Sequence, residues 1–242
     1  MSYITYTKIQ LCTTFVLALL TTAITQAQEN CYSYFPSEIG QEWSYKYYDK
    51  RGRLTGSSLH TITVENTGGL TVKSISFDKE GEPLGFKDRN GNIEVYEVDY
   101  GVFCIDGGLY MPPESVTHSF TELFEGLEVV VSGDNFLVSN GIMDRNTPLP
   151  DYRIKMKINA AALKVEINVS ERKVTGSETI ETPVGTFQCL KMEQKTNTKM
   201  GFINKQNKTV TWIAPGIGMV QSITYKNNGN LLSKTVLAVK NW

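Results

Sequence analysis

The sequence predicts a mainly β protein: a meandering antiparallel sheet of about a dozen strands with one short helix. Three observations carry that prediction. Apolar and polar residues alternate with period two from Trp43 onward, so that Trp43, Tyr45 and Tyr47 share one strand face while Ser44 and Lys46 share the other. Polar stretches closing on Gly recur at 49–52, 78–81, 88–91 and 226–229, where a hairpin reversal needs a residue that accepts positive φ. Finally, only 114–124 carries apolar residues near helical spacing, at Val116, Phe120, Leu123 and Phe124. A sheet of that many strands must curl, split or close.

Residues 1–27 read as a secretory signal. Lys8 is their only charge, an apolar run follows at 15–20, and the segment ends in Thr25-Gln26-Ala27. Small side chains at those two flanking positions fit a cleavage site and leave Gln28 first in the mature chain. The strongly apolar stretch is about a dozen residues, short of the roughly 20 a spanning helix needs. Cys12 follows Leu11, and Cys31 follows Gln28-Glu29-Asn30, so neither fits a lipidation site. The expectation is an exported, unanchored protein, periplasmic or extracellular, with no transmembrane segment in its mature chain. Residues 28–242 should form a single antiparallel β domain, and the Asn-, Gly- and Pro-rich stretch 135–151 is its best internal sub-sheet boundary.

The strands expected in order are 43–47 with partner 60–64, then 70–78, 93–100 and 102–110. Pro112-Pro113 breaks the pattern before the helix. Strands resume at 128–131 and 152–159, followed by a long bent one at 163–180, where Val165, Ile167 and Val169 alternate. Thr182-Pro183-Val184-Gly185 is a turn, and 187–196, 209–213, 219–225 and 231–239 complete the sheet.

Export implies an oxidising compartment. Cys12 leaves with the signal, so Cys31, Cys104 and Cys189 allow one disulfide and one leftover thiol. Cys31–Cys104 is the expected pair, because it would hold an otherwise fraying start of the chain. Cys189, among Phe187, Leu190 and Met192, is expected as a buried free thiol.

Composition narrows the function classes. The chain of 242 residues has 24 Lys+Arg against 25 Asp+Glu, a balance that argues against nucleic-acid binding and against a polybasic membrane patch. There is no HExxH, CxxC or GxSxG motif, and the two histidines, His60 and His118, do not by themselves support a triad. Asp88-Arg89-Asn90-Gly91-Asn92 has oxygens at alternate positions, but its Gly is early and the distal glutamate is missing, so a hairpin turn explains it better than calcium. No cofactor and no metal are expected. Glu94, Glu97, Asp99 and Asp106 cluster in sequence, and paired carboxylates are what glycoside hydrolysis requires. Asn168-Val169-Ser170 and Asn207-Lys208-Thr209 match a glycosylation sequon, a pattern common by chance.

The aromatic density is the most specific feature. Tyr32, Tyr34, Phe35, Trp43, Tyr45, Tyr47 and Tyr48 fall within 17 residues. Tyr and Trp join a large apolar face to a polar tip, which suits either a core or the wall of a site for an amphipathic ligand.

Four blocks together resemble a known family: CYSYFPSEIGQEWSYKYYDKRGRLTG, FCIDGGLYM, ERKVTGSETIETPVGTFQCLKM and TWIAPGIGMVQSITYKNNGNLLSKTVL. They look like the TapB-like family of exported bacterial β-proteins, related to a broader group with a YmcC-like or LolA-like curved sheet. The most specific part is Thr182-Pro183 with Gly185-Thr186-Phe187, then Trp212-Ile213-Ala214-Pro215-Gly216 and Gly218. The resemblance implies a Gram-negative envelope or secreted location, a half-barrel sheet, and a hydrophobic or amphipathic ligand like that of lipid-handling relatives. It carries over no catalytic residue.

The leading expectation is therefore a non-enzymatic exported protein. Its curved sheet would bind a lipid-like or amphipathic small molecule, or an envelope protein. Trp43, Tyr45 and Tyr47 are the expected cavity wall, partly exposed, with Trp212 a further candidate. The alternatives are a glycan-acting enzyme using the four carboxylates, and a structural or assembly component of the cell envelope.

Overall fold

The computed structural model describes residues 31–66, 69–87, 93–121, 128–140, 148–158 and 163–241. The signal segment and the 88–92 turn lie outside the described residues.

The first half of the chain runs β1 (Glu42–Asp49), β2 (Leu54–Asn66), β3 (Gly69–Phe77), β4 (Gly85–Lys87), β5 (Ile93–Val95), β6 (Glu97–Ile105) and β7 (Gly108–Met111). Helix α1 (Pro113–Thr121) follows, then β8 (Val129–Gly133) and β9 (Phe136–Asn140). The second half is β10 (Tyr152–Ile158), β11 (Leu163–Thr182), β12 (Gly185–Met200), β13 (Ile203–Ala214), β14 (Gly218–Lys226) and β15 (Leu231–Asn241).

Thirteen of these strands make one antiparallel sheet, in the order β8-β10-β11-β12-β13-β14-β15-β1-β2-β3-β6-β7-β9; β4 and β5 pair separately. The first and last strands, β1 and β15, are neighbours in the middle; β2, β3, β6, β7 and β9 lead outward to one edge, β14 back to β10 lead to the other, and β8 crosses over to complete that second edge. The turns follow the polar-to-Gly rule. In 49–52 and 78–81 the Gly N–H donates to the Asp carbonyl, at 2.9 and 3.2 Å, with Gly52 and Gly81 at φ of 74° and 89°. The Asp49 and Asp78 carboxylates each accept two backbone N–H groups further along the turn.

Three expectations shift in detail. The runs 93–100 and 102–110 are divided differently, because Asp106-Gly107 makes a tight hairpin between β6 and β7, with Asp106 at φ 49°. The stretch 135–151 contains β9, paired with β7, where richness in Asn, Gly and Pro had suggested a boundary. Strands β12 and β13 run on past Thr196 and begin before Thr209, as a largely polar hairpin that β11 also pairs with and whose Met200 packs against the β10–β11 cluster.

The sheet is open yet strongly curled. Strands β8 and β9 are its two opposite edges, but only Asp134 and Asn135 separate them in the chain. Three peptide steps span at most about 11 Å, so those edges meet at this end. Helix α1 closes the same gap by touching both β6 and β8. Arg172 on β11 adds a direct link: its guanidinium donates to the Leu137 carbonyl on β9 at 2.7 Å and to the Pro150 carbonyl at 2.8 Å. The bend that allows this is in β11, whose register with β12 slips between Ser170 and Lys173 and again between Val174 and Gly176.

The inner side of the curl is filled by the chain itself. One cluster joins Trp43, Tyr45, Ile62, Leu70, Val72, Val102, Leu109 and Leu237; a second joins Leu137 and Leu149 to Val174, Met192 and Ile213; a third gathers on β10 and β11. Each fully buried Val, Ile or Leu contributes about 1.5–3 kcal/mol. Cys31 and Cys104 are bonded, tying the start of the described chain to β6 across 73 residues. A loop of that size stabilises by about 4 kcal/mol in the chain-entropy account. Cys189 is the buried free thiol, its pKa raised by burial to about 11.

Candidate functional site

The β1–β2 hairpin brings the predicted rings into a polar network that the sequence reading did not find. Trp43 pairs with His60, Tyr45 with Ser58 and Tyr47 with Gly56, and directly opposed residues share a face. The register slips by one residue between Tyr47 and Tyr48. Without that bulge the turn at Asp49 and Arg53 would set Trp43 opposite Leu59 and turn Ser58 and His60 to the other side.

On the shared face the side chains form a hydrogen-bonded chain. Tyr47 Oη lies 2.6 Å from Ser58 Oγ, Ser58 Oγ lies 2.8 Å from His60 Nε2, and His60 Nδ1 lies 3.2 Å from Tyr100 Oη. Tyr100 reaches in from β6, two strands away. The Trp43 ring stacks on the imidazole with centroids 5.4 Å apart, and Tyr45 and Tyr100 meet it edge-on at 5.5 and 6.0 Å. Trp43 and Tyr45 are 2% and 8% exposed, Ser58 2%, while Tyr47, His60 and Tyr100 are half-buried.

The rings dictate the electrostatics. Burial lowers the His60 pKa to about 4, so the imidazole is neutral at pH 7, with one nitrogen donating and the other accepting. Burial also raises Tyr45, Tyr47 and Tyr100; a side-chain hydrogen bond from Trp43 opposes the rise at Tyr45, and one from Ser58 opposes it at Tyr47. A neutral histidine makes the chain directional. When Nδ1–H donates to Tyr100, the Tyr100 hydroxyl keeps a proton to offer outward. Ser58 is too buried, and His60 too weak a base, for this pair to serve as an activated nucleophile.

The remaining predicted residues are placed elsewhere. The expected half-exposed wall of Trp43 and Tyr45 is instead packed core, because the curl closes tightly enough for the sheet's own side chains to fill it. Trp212 is on the opposite face from Tyr45 and Tyr47: the ladder row through Trp212, Gln221, Val236 and Lys46 passes between them. There it is 7% exposed, donates its indole N–H to Glu178 at 2.8 Å, and lies under the Lys191 ammonium at 5.7 Å. The hydrogen bonds from Lys191 and Trp212 pull the Glu178 carboxyl below its ordinary range. Trp212 lines an outer groove of 780 Å³ on β11–β14, beside a second of 660 Å³ on β8–β12. Both are polar.

The four carboxylates of the glycan-enzyme reading do not converge. Glu94 is on the separate β4–β5 pair, Glu97 and Asp99 are exposed on β6 with Glu97 salt-bridged to Lys73 at 2.6 Å, and Asp106 is in an exposed turn. Among the described residues no group of three or more His, Cys, Asp or Glu could hold a metal ion.

The fold has known counterparts. A family model described as DUF3108-like matches residues 38–237. The chain belongs to the DUF3108-like family. A protein from Bacteroides fragilis described as exported, with a YmcC-like fold, is 22% identical and superposes with a TM-score of 0.68, covering 88% of this chain and 100% of its own. A protein from Parabacteroides distasonis described as a lipoprotein is 20% identical, with a TM-score of 0.69 over 87% of this chain and 99% of its own. At these identities the likeness shows the YmcC-like fold. The search of curated proteins found no match. Among the described residues no helix is long and apolar enough to cross a membrane.

Proposed function

We propose that this DUF3108-like protein is an exported, non-enzymatic binding protein for an amphipathic, lipid-like molecule, held where Tyr47, His60 and Tyr100 reach the surface. The observation that carries the reading is the Tyr47–Ser58–His60–Tyr100 chain, polar and half-open amid aromatic rings. Trp43 and Tyr45 form its buried floor, and the apolar part of a ligand would lie against the ring edges. Its polar end would accept the free Tyr100 proton, which favours a carboxylate, ester or hydroxyl oxygen. The signal-like segment 1–27 supports export, as do the descriptions of the Bacteroides and Parabacteroides proteins. The TapB-like resemblance of the 182–218 block is our narrower placement of the chain.

Titration calorimetry with dodecanoate tests the site. Saturable binding that weakens about tenfold in Tyr100→Phe is expected, a loss of about 1.4 kcal/mol. Equal binding by the wild type and Tyr100→Phe would place any ligand elsewhere, and native mass spectrometry of protein from its own host would identify one that co-purifies.

A further inference from the structure

The polar β12–β13 hairpin ends in an apolar tip that no described residue covers. Phe202 is fully exposed, and Ile203 beside it is 39% exposed. Exposed apolar residues scattered singly are ordinary on a protein surface. This tip is set apart by the charge around it.

The strand ladder gathers lysines at that end of the sheet. Lys157 pairs with Lys164 across β10 and β11, Lys199 on β12 lies three residues before Phe202, and Lys205 on β13 lies two residues beyond Ile203, on the other face of the hairpin from Lys199, whose partner is Asn204. Lys155 lies one step further from the tip on β10. All five are exposed. Val130, 47% exposed, pairs with Lys157 on the far side of these lysines from the tip, at the β8 edge. Among the described residues the acids at this end are Glu166, which pairs with Lys199 and Lys155 on its two neighbouring strands, lies 3.5 Å from Arg153 and accepts from Asn168 at 3.0 Å, and Glu128 before β8. The whole chain is charge-balanced, which argued against a basic membrane patch, yet folding concentrates positive charge on this one corner.

We propose that this corner docks on an anionic lipid bilayer, with Phe202 and Ile203 inserted between headgroups and Lys157, Lys164, Lys199 and Lys205 against lipid phosphates. An aromatic side chain at a projecting tip suits the interface, where its ring leaves water without a spanning segment. Neighbouring strands are about 4.8 Å apart, so these lysines spread over several headgroups instead of converging on one ion. A protein partner would call for a broader apolar patch than this tip provides. The docking is independent of the Tyr47–His60–Tyr100 site, which belongs to other strands.

Co-sedimentation with sucrose-loaded vesicles, of phosphatidylcholine alone or with 30% phosphatidylglycerol, tests this at about 0.05 and 0.3 M salt. Binding to the anionic vesicles at low salt is expected, with little to the neutral ones. Phe202→Ser should weaken the partition about fivefold, and Lys199→Ser with Lys205→Ser should weaken it about 25-fold and flatten the salt dependence. Both variants change exposed side chains, and unchanged circular dichroism and dodecanoate binding would show the rest intact. Equal pelleting with neutral and anionic vesicles, or a Phe202→Ser partition matching the wild type, would overturn the proposal.

Discussion

Two bases, the half-buried His60 on the β1–β2 hairpin and the buried Arg172 at the seam between β9 and β11, meet the same difficulty in opposite ways. Both sit among rings, and among the described residues neither has a carboxylate at ion-pair distance. His60 gives up its charge: burial lowers its pKa to about 4, and both ring nitrogens are then satisfied by hydroxyls of Ser58 and Tyr100. A guanidinium cannot do that in the accessible pH range. Arg172 therefore keeps its proton, although burial lowers its pKa too. It is held by the carbonyls of Leu137 and Pro150, by Gln194 Oε1 at 3.3 Å, and by the faces of Phe136 and Tyr152 at 4.5 and 5.2 Å. The comparison teaches that the seam is built on a permanent cation and the ring-lined hairpin on a switchable neutral base. Only the second can change its hydrogen-bond polarity to suit a ligand.

The sharpest way to break the comparison is at the seam. Arg172→Met removes the donor to the buried Leu137 carbonyl and to the part-buried Pro150 carbonyl and should cost about 2–4 kcal/mol, read as a lower urea midpoint. A loss under about 1 kcal/mol would mean that the cation does not latch the edges.

The next effect is on pH. His60 binds a proton less readily folded than unfolded, where its pKa is 6.5, so the unfolded chain holds more protons between pH 6.5 and 4. Stability is fully present above that window and is lost as pH falls through it, by about 2–3 kcal/mol. The wild type and His60→Phe should therefore diverge across that window. Parallel pH profiles would show that the imidazole is not desolvated. Arg172→Met should leave that slope alone. The smallest effect is Tyr100→Phe, which deprives Nδ1 of its partner and should cost about 1 kcal/mol in thermal or urea unfolding.

Much of the fold was legible along the chain. The alternation at Trp43, Tyr45 and Tyr47 put those rings on one face, and 78–81 and 226–229 closed as the hairpins their Gly residues announce, the latter with Gly229 N–H donating to Lys226 at 2.9 Å. Cys31 and Cys104 were the expected pair. Strand β9 was less visible, because its short Phe136-Leu137-Val138 run lies in an Asn-, Gly- and Pro-rich stretch and, among the described residues, pairs with β7 alone. Ser58 and His60 were hidden for a different reason. Their face depends on the one-residue bulge near Tyr48, and alternation along a single strand cannot reveal a slip between two.

Local alternation and turn chemistry, then, already determined that this chain forms an antiparallel sheet, which residues share a strand face, and where most reversals fall. These depend on backbone geometry and on neighbours within a few residues. Tertiary structure alone decided that the sheet curls until β8 and β9 meet and that its inner side is filled. It also set Trp212 apart from the other rings and drew dispersed lysines to one corner. Those outcomes rest on register slips and on contacts between residues far apart in the chain, where a shift of one position reverses which side a side chain faces.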